Sequence, residues 1–392
     1  MPIVNRVADL QADIAAWRQD FHAHPELMYE VHRTSALVAE RLREFGCDEV
    51  ITGMGRTGVV GVIKGRKSAD GGQEVRTLGL RADMDALPVT EITGAPYASK
   101  TPGVMHACGH DGHTAMLLGA ARYLAETRNF AGTVAVIFQP AEEGGAGAKA
   151  MIDDGLMDRF AIDQVYGMHN SPGLPLGKFA IRQGPYMASM DEIYITIQGL
   201  GGHASRPNKC IDPVLAGAQL VTALQSIVGR NVDPLDSAVI SMCQFHAGTA
   251  INIIPQTAEL AGTVRTLRPQ VRNLIEKRMN EVVDGVAALS GTKIKLDYQR
   301  GYPVLVNHAA QTDIAARVAT EVVGESNVNA TVPPMMGSED FAYMLEAKPG
   351  AFIFIGNGDS AGLHHPAYNF NDEAILYGTS YWIRLVETQL AA

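Results

Sequence analysis

One pattern of elements gives way to another at Gly184–Ala188 and returns after Gly301, and that interruption constrains the architecture more than any other feature. Before it, apolar runs alternate with turns and helices: Gly58–Ile63, Thr77–Leu80 running into Arg81-Ala-Asp-Met-Asp85, a helix from about His113 to Thr127, and Gly132–Phe138. Continuous apolar runs suit strands buried on both faces, so this is α/β order around a mostly buried sheet. Val7, Leu10, Ile14, Trp17 and Phe21 recur at spacings of three and four and predict an opening amphipathic helix, with a second over about Arg33–Phe45. Inside the interruption the reading is strand Glu192–Gln198, helix Asp212–Gly229, strand Ala238–His246, strand Thr257–Thr266, helix Pro269–Leu289 and strand Thr292–Tyr298. That βαββαβ order is the ferredoxin-like motif, and about 110 residues is a sensible size for it. The α/β pattern then resumes with a buried run, Ala351–Ile355, and a last helix whose apolar face is Ile375, Leu376, Trp382, Ile383 and Val386. The expected fold is a discontinuous α/β domain, residues 1–185 and 301–392, carrying a ferredoxin-like domain inserted over 186–300.

Length agrees with two domains, since 392 residues exceed the size at which a single core keeps growing. A composition of 46% hydrophobic and 19% charged residues is that of an ordinary globular chain, not a disordered one. The net charge of −10 is spread without long like-charge runs, so neither a nucleic-acid groove nor an anionic-membrane patch is expected. The four cysteines include no C-x-x-C pair, which argues against a disulfide framework or a structural zinc knuckle and for reduced thiols. Met1 to Asp20 lacks the apolar core of a signal peptide, and no run of about eighteen apolar residues occurs, so a cytoplasmic location is expected.

Chemistry concentrates in Thr101-Pro-Gly-Val-Met-His-Ala-Cys-Gly-His-Asp-Gly-His113 and in Phe138-Gln-Pro-Ala-Glu-Glu-Gly144. Cys108 and His110 are two apart on a glycine-punctuated stretch, where side chains at i and i+2 point the same way and a thiolate and an imidazole can face one metal pair. Glu142 and Glu143 follow an apolar run, at the end of a strand, where adjacent carboxylates repel unless cations neutralise them. One can bind metal while its neighbour activates water, because adjacent side chains diverge. His169 ends another apolar run, and a histidine of the pair His364-His365 comes from the far end of the chain; bare spacing does not choose between the two. Asp83 and Asp85 flank Met84 at a strand end, and Asp85 is read as a carboxylate outside the ligand shell that orients an imidazole. Gly53-Met-Gly-Arg-Thr-Gly58 matches a dinucleotide fingerprint, but a strand-like run follows it, leaving no helix N-terminus for a pyrophosphate.

These residues resemble the hippurate hydrolase and N-acyl-amino-acid amidohydrolase family of dinuclear metallopeptidases, relatives of the aminoacylases. The likeness spans essentially the whole chain and rests on Arg81-Ala-Asp-Met-Asp-Ala-Leu-Pro88, Met105-His-Ala-Cys-Gly-His-Asp-Gly-His113, Phe138-Gln-Pro-Ala-Glu-Glu-Gly144, Gly167-Met-His-Asn170, Gly201-Gly-His-Ala-Ser205, Ile251-Asn-Ile-Ile-Pro255 and Gly337-Ser-Glu-Asp-Phe341. The resemblance implies two divalent ions per subunit, zinc or manganese with cobalt or nickel also compatible, on Cys108, His110, Glu143, His169 and His364, with Glu142 as general base. It thereby selects His364 over His365. In the wider superfamily an H-x-D motif supplies a metal ligand where this chain has Asp83-Met84-Asp85. The resemblance also makes the inserted domain a lid and dimerisation domain. His203 then reaches the partner subunit's site to stabilise the oxyanion, and Asn252 and Arg265 hold the free carboxylate of the substrate.

The expected activity is metal-dependent hydrolysis of the amide of a small N-acyl amino acid, with release of a carboxylic acid and an amino acid, by a homodimer or dimer of dimers. A dipeptidase or carboxypeptidase of the same mechanism, a cysteine amidase using Cys108 with His110 as base, and a non-catalytic binding protein on this fold are the alternatives.

Overall fold

The apolar runs of the first and last segments become neighbours in one eight-stranded sheet. Its order is Glu49–Met54, Gly58–Lys64, Thr133–Gln139, Thr77–Asp83, Gln164–Ser171, Gly350–Gly356, Phe179–Ala180 and Val328–Asn329. The strands Thr133–Gln139, Thr77–Asp83, Gln164–Ser171 and Gly350–Gly356 run parallel, with Asp83 beside Gln139 and His169 beside Phe354. Their carboxyl ends therefore lie along one side of the sheet, which is where an open α/β sheet presents ligand-binding groups. In this computed structural model, which describes residues 3–68 and 76–391, the chain divides into two units. The first runs up to Gly184 and adds Val306–Pro333 and everything from Asp340; the second comprises Pro185–Leu305 and Pro334–Glu339.

In the first unit the helices Asn5–Ala23, His110–Thr127 and Ala374–Gln389 bury Ile14, Leu117 and Trp382 in the core they share with the sheet. The opening and closing helices thus follow their periodicity. The helix His110–Thr127 begins three residues earlier than the sequence suggests. Gly112, read as a loop residue, is in its first turn because the Phe370 ring lies against it, 2.3 Å from where a Cβ would be. The strand Glu49–Met54 was not expected; it is half-polar and forms a hairpin edge with Gly58–Lys64.

The second unit has four long antiparallel strands in the order Ala238–Ala247, Thr257–Thr266, Ser189–Gln198 and Lys293–Arg300, with helices Pro213–Asn231 and Pro269–Ser290. Along Ser189–Gln198 buried and exposed residues alternate, and Ile193, Ile195 and Ile197 meet Leu220, Leu224, Ile275 and Met279 of the helices. One face of this sheet is therefore core. Asp212 caps the first helix by accepting from the N–H of Val214 at 2.8 Å. Asp191, fully buried, is neutralised by Arg272 and accepts from the Tyr298 hydroxyl at 2.6 Å. Among the described residues no helix is long and apolar enough to cross a membrane.

Candidate metal centre

Each ligand-type residue is delivered by the end of an element of the first unit. Cys108 closes a loop, Gly109 turns the chain with φ 91°, and His110 opens the helix. A side chain at position 109 is excluded twice: the left-handed φ disfavours it, and a Cβ would lie 2.3 Å from Asn170 Nδ2 and 2.4 Å from the Tyr368 hydroxyl. The next residue, Asp111, is buried and accepts from His22 Nδ1 at 2.8 Å, which ties the helix start to the opening helix. Glu142 and Glu143 follow the strand Thr133–Gln139 after a turn at Ala141 with φ 55°. His169 is near the end of Gln164–Ser171. His364 arrives on a loop with φ 63°, and its N–H donates to Ala107 O at 2.7 Å.

These residues converge. Cys108, His110 and His169 have ligand atoms mutually within 4.8 Å, and the same holds for Cys108, Glu143 and His364 and for His110, Glu142 and Glu143. Cys108, His110 and Glu143 each belong to two of these three sets, so the sets are contiguous. His364 Nε2 is 3.2 Å from Glu143 Oε1, whereas the His365 ring is turned to its own loop, accepting from Ala367 N–H at 3.0 Å. Of the two histidines that spacing leaves open, His364 is the one beside Glu143.

Main-chain contacts decide which ring nitrogens face inward. His110 Nδ1 donates to Asp85 O at 2.8 Å and His169 Nδ1 donates to Asn170 O at 2.7 Å, leaving Nε2 of each to meet an ion. The imidazole of His110 thus meets the Asp85 carbonyl, and Asp85 Oδ1 lies 3.4 Å from the same nitrogen. Its carboxylate does something the sequence did not suggest: one oxygen accepts the Glu142 N–H at 3.0 Å and the other the Glu143 N–H at 3.1 Å, which fixes the two glutamates as a pair. Glu142 Oε1 also receives the Asp340 N–H at 3.4 Å. The Asp340 carboxylate, buried, accepts from Arg81 at 3.0 Å, Gln139 at 2.8 Å and the Ala148 N–H at 2.9 Å. Arg81 and Asp340 were the missed parts of the site. Their only signal was a charge inside an otherwise apolar strand and an acid in Gly337-Ser-Glu-Asp-Phe341.

The charges present call for a cation. Burial alone would lower the His110 pKa, but Asp83, Asp85 and Glu143 outweigh it and push it up to about 10. Burial, then Glu143, Glu142 and Asp83, drive the Cys108 thiol well above its ordinary value. That field opposes the free thiolate a cysteine amidase needs, whereas a divalent ion would hold the sulfur deprotonated. Burial, followed by His113, keeps His169 neutral, the form that ligates. His110 Nε2 is buried and makes no hydrogen bond. Donor set, orphaned nitrogen and surplus of carboxylates all fit divalent metal ions.

In the second unit, His203 is exposed and its Nδ1 accepts from the Ser205 N–H at 3.1 Å, so Nε2 carries the proton and is free to donate. Asn252 is next to it, with Asn252 O accepting from Ala204 N–H at 3.0 Å. Arg265 is elsewhere. It pairs with Met190 near the end of Thr257–Thr266 and donates to Ser338 Oγ at 2.9 Å, while Asn252 lies before the start of that strand. Eight residues of strand from Thr257 to Arg265 amount to about 26 Å. Within one copy of this unit Arg265 does not meet Asn252 or His203.

The family model described as peptidase family M20/M25/M40 matches residues 79–388. The chain is 45% identical to a hippurate hydrolase of Campylobacter jejuni, with 98% of each covered, and 39% identical to an N-acetylcysteine deacetylase of Bacillus subtilis, with 94% of each covered. A crystal structure of a dinuclear metal-binding M20-family peptidase from Bacillus subtilis superposes with a TM-score of 0.84 at 34% identity, covering 98% of this chain and 99% of that one. With a site of this donor chemistry and these relatives, the chain belongs to peptidase family M20/M25/M40 and is a metal-dependent amidohydrolase.

Proposed function

We propose that this protein hydrolyses the amide bond of N-acyl amino acids of the hippurate type, releasing a carboxylic acid and a free amino acid. The observation that carries this reading is the convergence of Cys108, His110, Glu143, His169 and His364, from four separated segments, with the Nε2 atoms of His110 and His169 left for metal. These five would hold two divalent ions. Cysteine and imidazole donors suit zinc, and the carboxylate and imidazole share also accepts manganese, cobalt or nickel. Bound there, the ions supply Lewis acidity to the amide carbonyl and acidify the attacking water.

Glu142 takes a proton from that water as its oxygen bonds to the carbonyl carbon, then gives it to the departing nitrogen as the C–N bond breaks. Its buried position and the Asp340 and Asp85 contacts along its segment support a fixed proton shuttle. The second unit acts as a ferredoxin-like lid and dimerisation module. His203 donates from Nε2 to the developing oxyanion, and Asn252 and Arg265 bind the substrate carboxylate. Because about 26 Å of strand separates Arg265 from the His203 end, one small substrate takes these groups from two subunits, which supports a homodimer sharing its sites.

The test is hydrolysis of N-benzoylglycine by metal-loaded protein, beside N-acetyl amino acids and dipeptides. Release of benzoate and glycine, lost with a chelator and regained with zinc or manganese, is expected; faster cleavage of dipeptides would redirect the reading to a peptidase. Cys108→Ala and His110→Ala should lose ions and turnover together, and full metal content by elemental analysis in both would overturn the ligand assignment.

A further inference from the structure

His113 ends the glycine-rich segment that supplies Cys108 and His110, and its ring is 4.5 Å from that of His169 by centroids. It lies close enough to Asp83 and His110 for the three to hold an ion. Both of its nitrogens are already engaged, however. Nδ1 is 2.6 Å from Asp83 Oδ1, and Nε2 receives the main-chain N–H of Asn170 at 2.9 Å and its side-chain amide at 3.0 Å. A main-chain N–H can only donate, so Nε2 is the acceptor and Nδ1 carries the proton given to Asp83. The other Asp83 oxygen accepts from Arg81 at 2.7 Å. The His113 ring therefore has no lone pair left to offer an ion.

The partner on the far side of the ring is a branch point. The Asn170 side-chain amide also donates to Cys108 O at 2.6 Å, and its carbonyl accepts from the Tyr368 hydroxyl at 2.8 Å. Its main-chain oxygen accepts from His169 Nδ1 at 2.7 Å. Every member is buried: Asp83, Asn170 and Tyr368 at 0% and His113 at 2% exposure. One chain of hydrogen bonds thus runs from Arg81 through Asp83, His113 and Asn170 to the main chain of Cys108 and the ring of His169. Its members come from two strands, a helix start and the closing segment.

We propose that His113 is a positioning residue of the metal centre, a fixed neutral imidazole between Asp83 and Asn170 that sets the spacing of Cys108 and His169 and so the affinity of the ion they hold. The inference rests on the reading of Cys108 and His169 as ligands. Outer partners of this kind commonly change metal affinity by about 10- to 100-fold. Glutamine can reproduce the arrangement, donating from its amide nitrogen to Asp83 and accepting on its oxygen from Asn170; leucine has similar bulk and does neither.

The experiment loads the full-length protein with cobalt(II), measures its dissociation constant by chelator competition and records the thiolate-to-cobalt charge-transfer band. Circular dichroism of the metal-free proteins monitors folding. His113→Leu should bind cobalt about 10- to 100-fold more weakly with a shifted band, while His113→Gln stays close to wild type. Unchanged affinity and band in His113→Leu, or an equal loss in His113→Gln, overturns the proposal. Should His113→Leu fail to fold, Tyr368→Phe decides, since it removes only the hydroxyl that holds Asn170: weakened binding with the same band shift supports the proposal, and wild-type behaviour overturns it. A wild-type protein that binds cobalt without any thiolate band removes Cys108 as a ligand and fails the underlying reading as well.

Discussion

The candidate metal centre and the His203 end of the second unit are built on opposite plans. In the first unit His110 is 0% exposed and Cys108 and His169 are each 6% exposed, main-chain oxygens hold the rings of His110 and His169, and the Asp85 carboxylate holds the N–H groups of Glu142 and Glu143. At one end of the second unit Ile251 is 107% exposed, Ile253 57% and Leu200 49%, and the His203 ring is held by Ser205 of its own loop. Large apolar side chains exposed beside an imidazole are the kind of surface that mediates contacts between proteins. The comparison teaches that the candidate ion-binding residues are preorganised within one chain, whereas the roles proposed for His203, Asn252 and Arg265 call for a second subunit.

The sharpest way to break this contrast is at the preorganised end. Glu142→Gln keeps the shape of the side chain and its main-chain contacts but cannot take a proton. Turnover should fall by roughly a thousandfold or more, near the upper end of general acid–base contributions, with the metal content unchanged. Loss of ions in that variant would exchange the roles of Glu142 and Glu143.

At the dependent end, His203→Ala should lose on the order of 100- to 1,000-fold, the loss typical of a missing oxyanion donor. A mixture of Glu142→Ala and His203→Ala chains then separates sharing from self-sufficiency. In a mixed dimer one site collects both lesions while the other keeps its own Glu142 and receives an intact His203. Random reassembly of equal amounts should restore about a quarter of wild-type sites. No recovery after verified subunit exchange would return His203 to its own chain. The smallest effect belongs to Arg265: truncation to Ala should reduce activity on N-benzoylglycine about 10- to 100-fold, as expected for a charge-assisted bond, and hardly affect its amide. Equal losses on both substrates would remove the carboxylate contact.

The same contrast explains what was legible in the sequence. Strand Thr257–Thr266 was readable to the residue because apolar and polar positions alternate between two sharp turn signals. Cys108, His110, Glu142, Glu143 and His169 stood out because polar residues interrupt or end apolar runs there. The helix start at His110 was hidden by Gly109 and Gly112, whose roles depend on Asn170, Tyr368 and Phe370 approaching from distant segments. The partners of Asp83 and Asp85 were equally hidden, since which carboxylate meets a ring and which meets two main-chain N–H groups depends on tertiary approach alone. The tip of the second unit read as a motif and nothing more, because its side chains have few contacts to give them a pattern.

The left-handed turn at His364 has a consequence for how such a centre is filled. A non-glycine residue held there costs on the order of 1–3 kcal/mol, and the His364 side chain is 54% exposed while that of His110 is fully buried. On the ligand set proposed above, two neighbouring binding positions would therefore differ in how readily they exchange with the surroundings. An ion held through the buried Cys108, His110 and His169 would be the slower to leave. An ion that takes His364 would sit against this exposed loop and should be the first lost to a chelator.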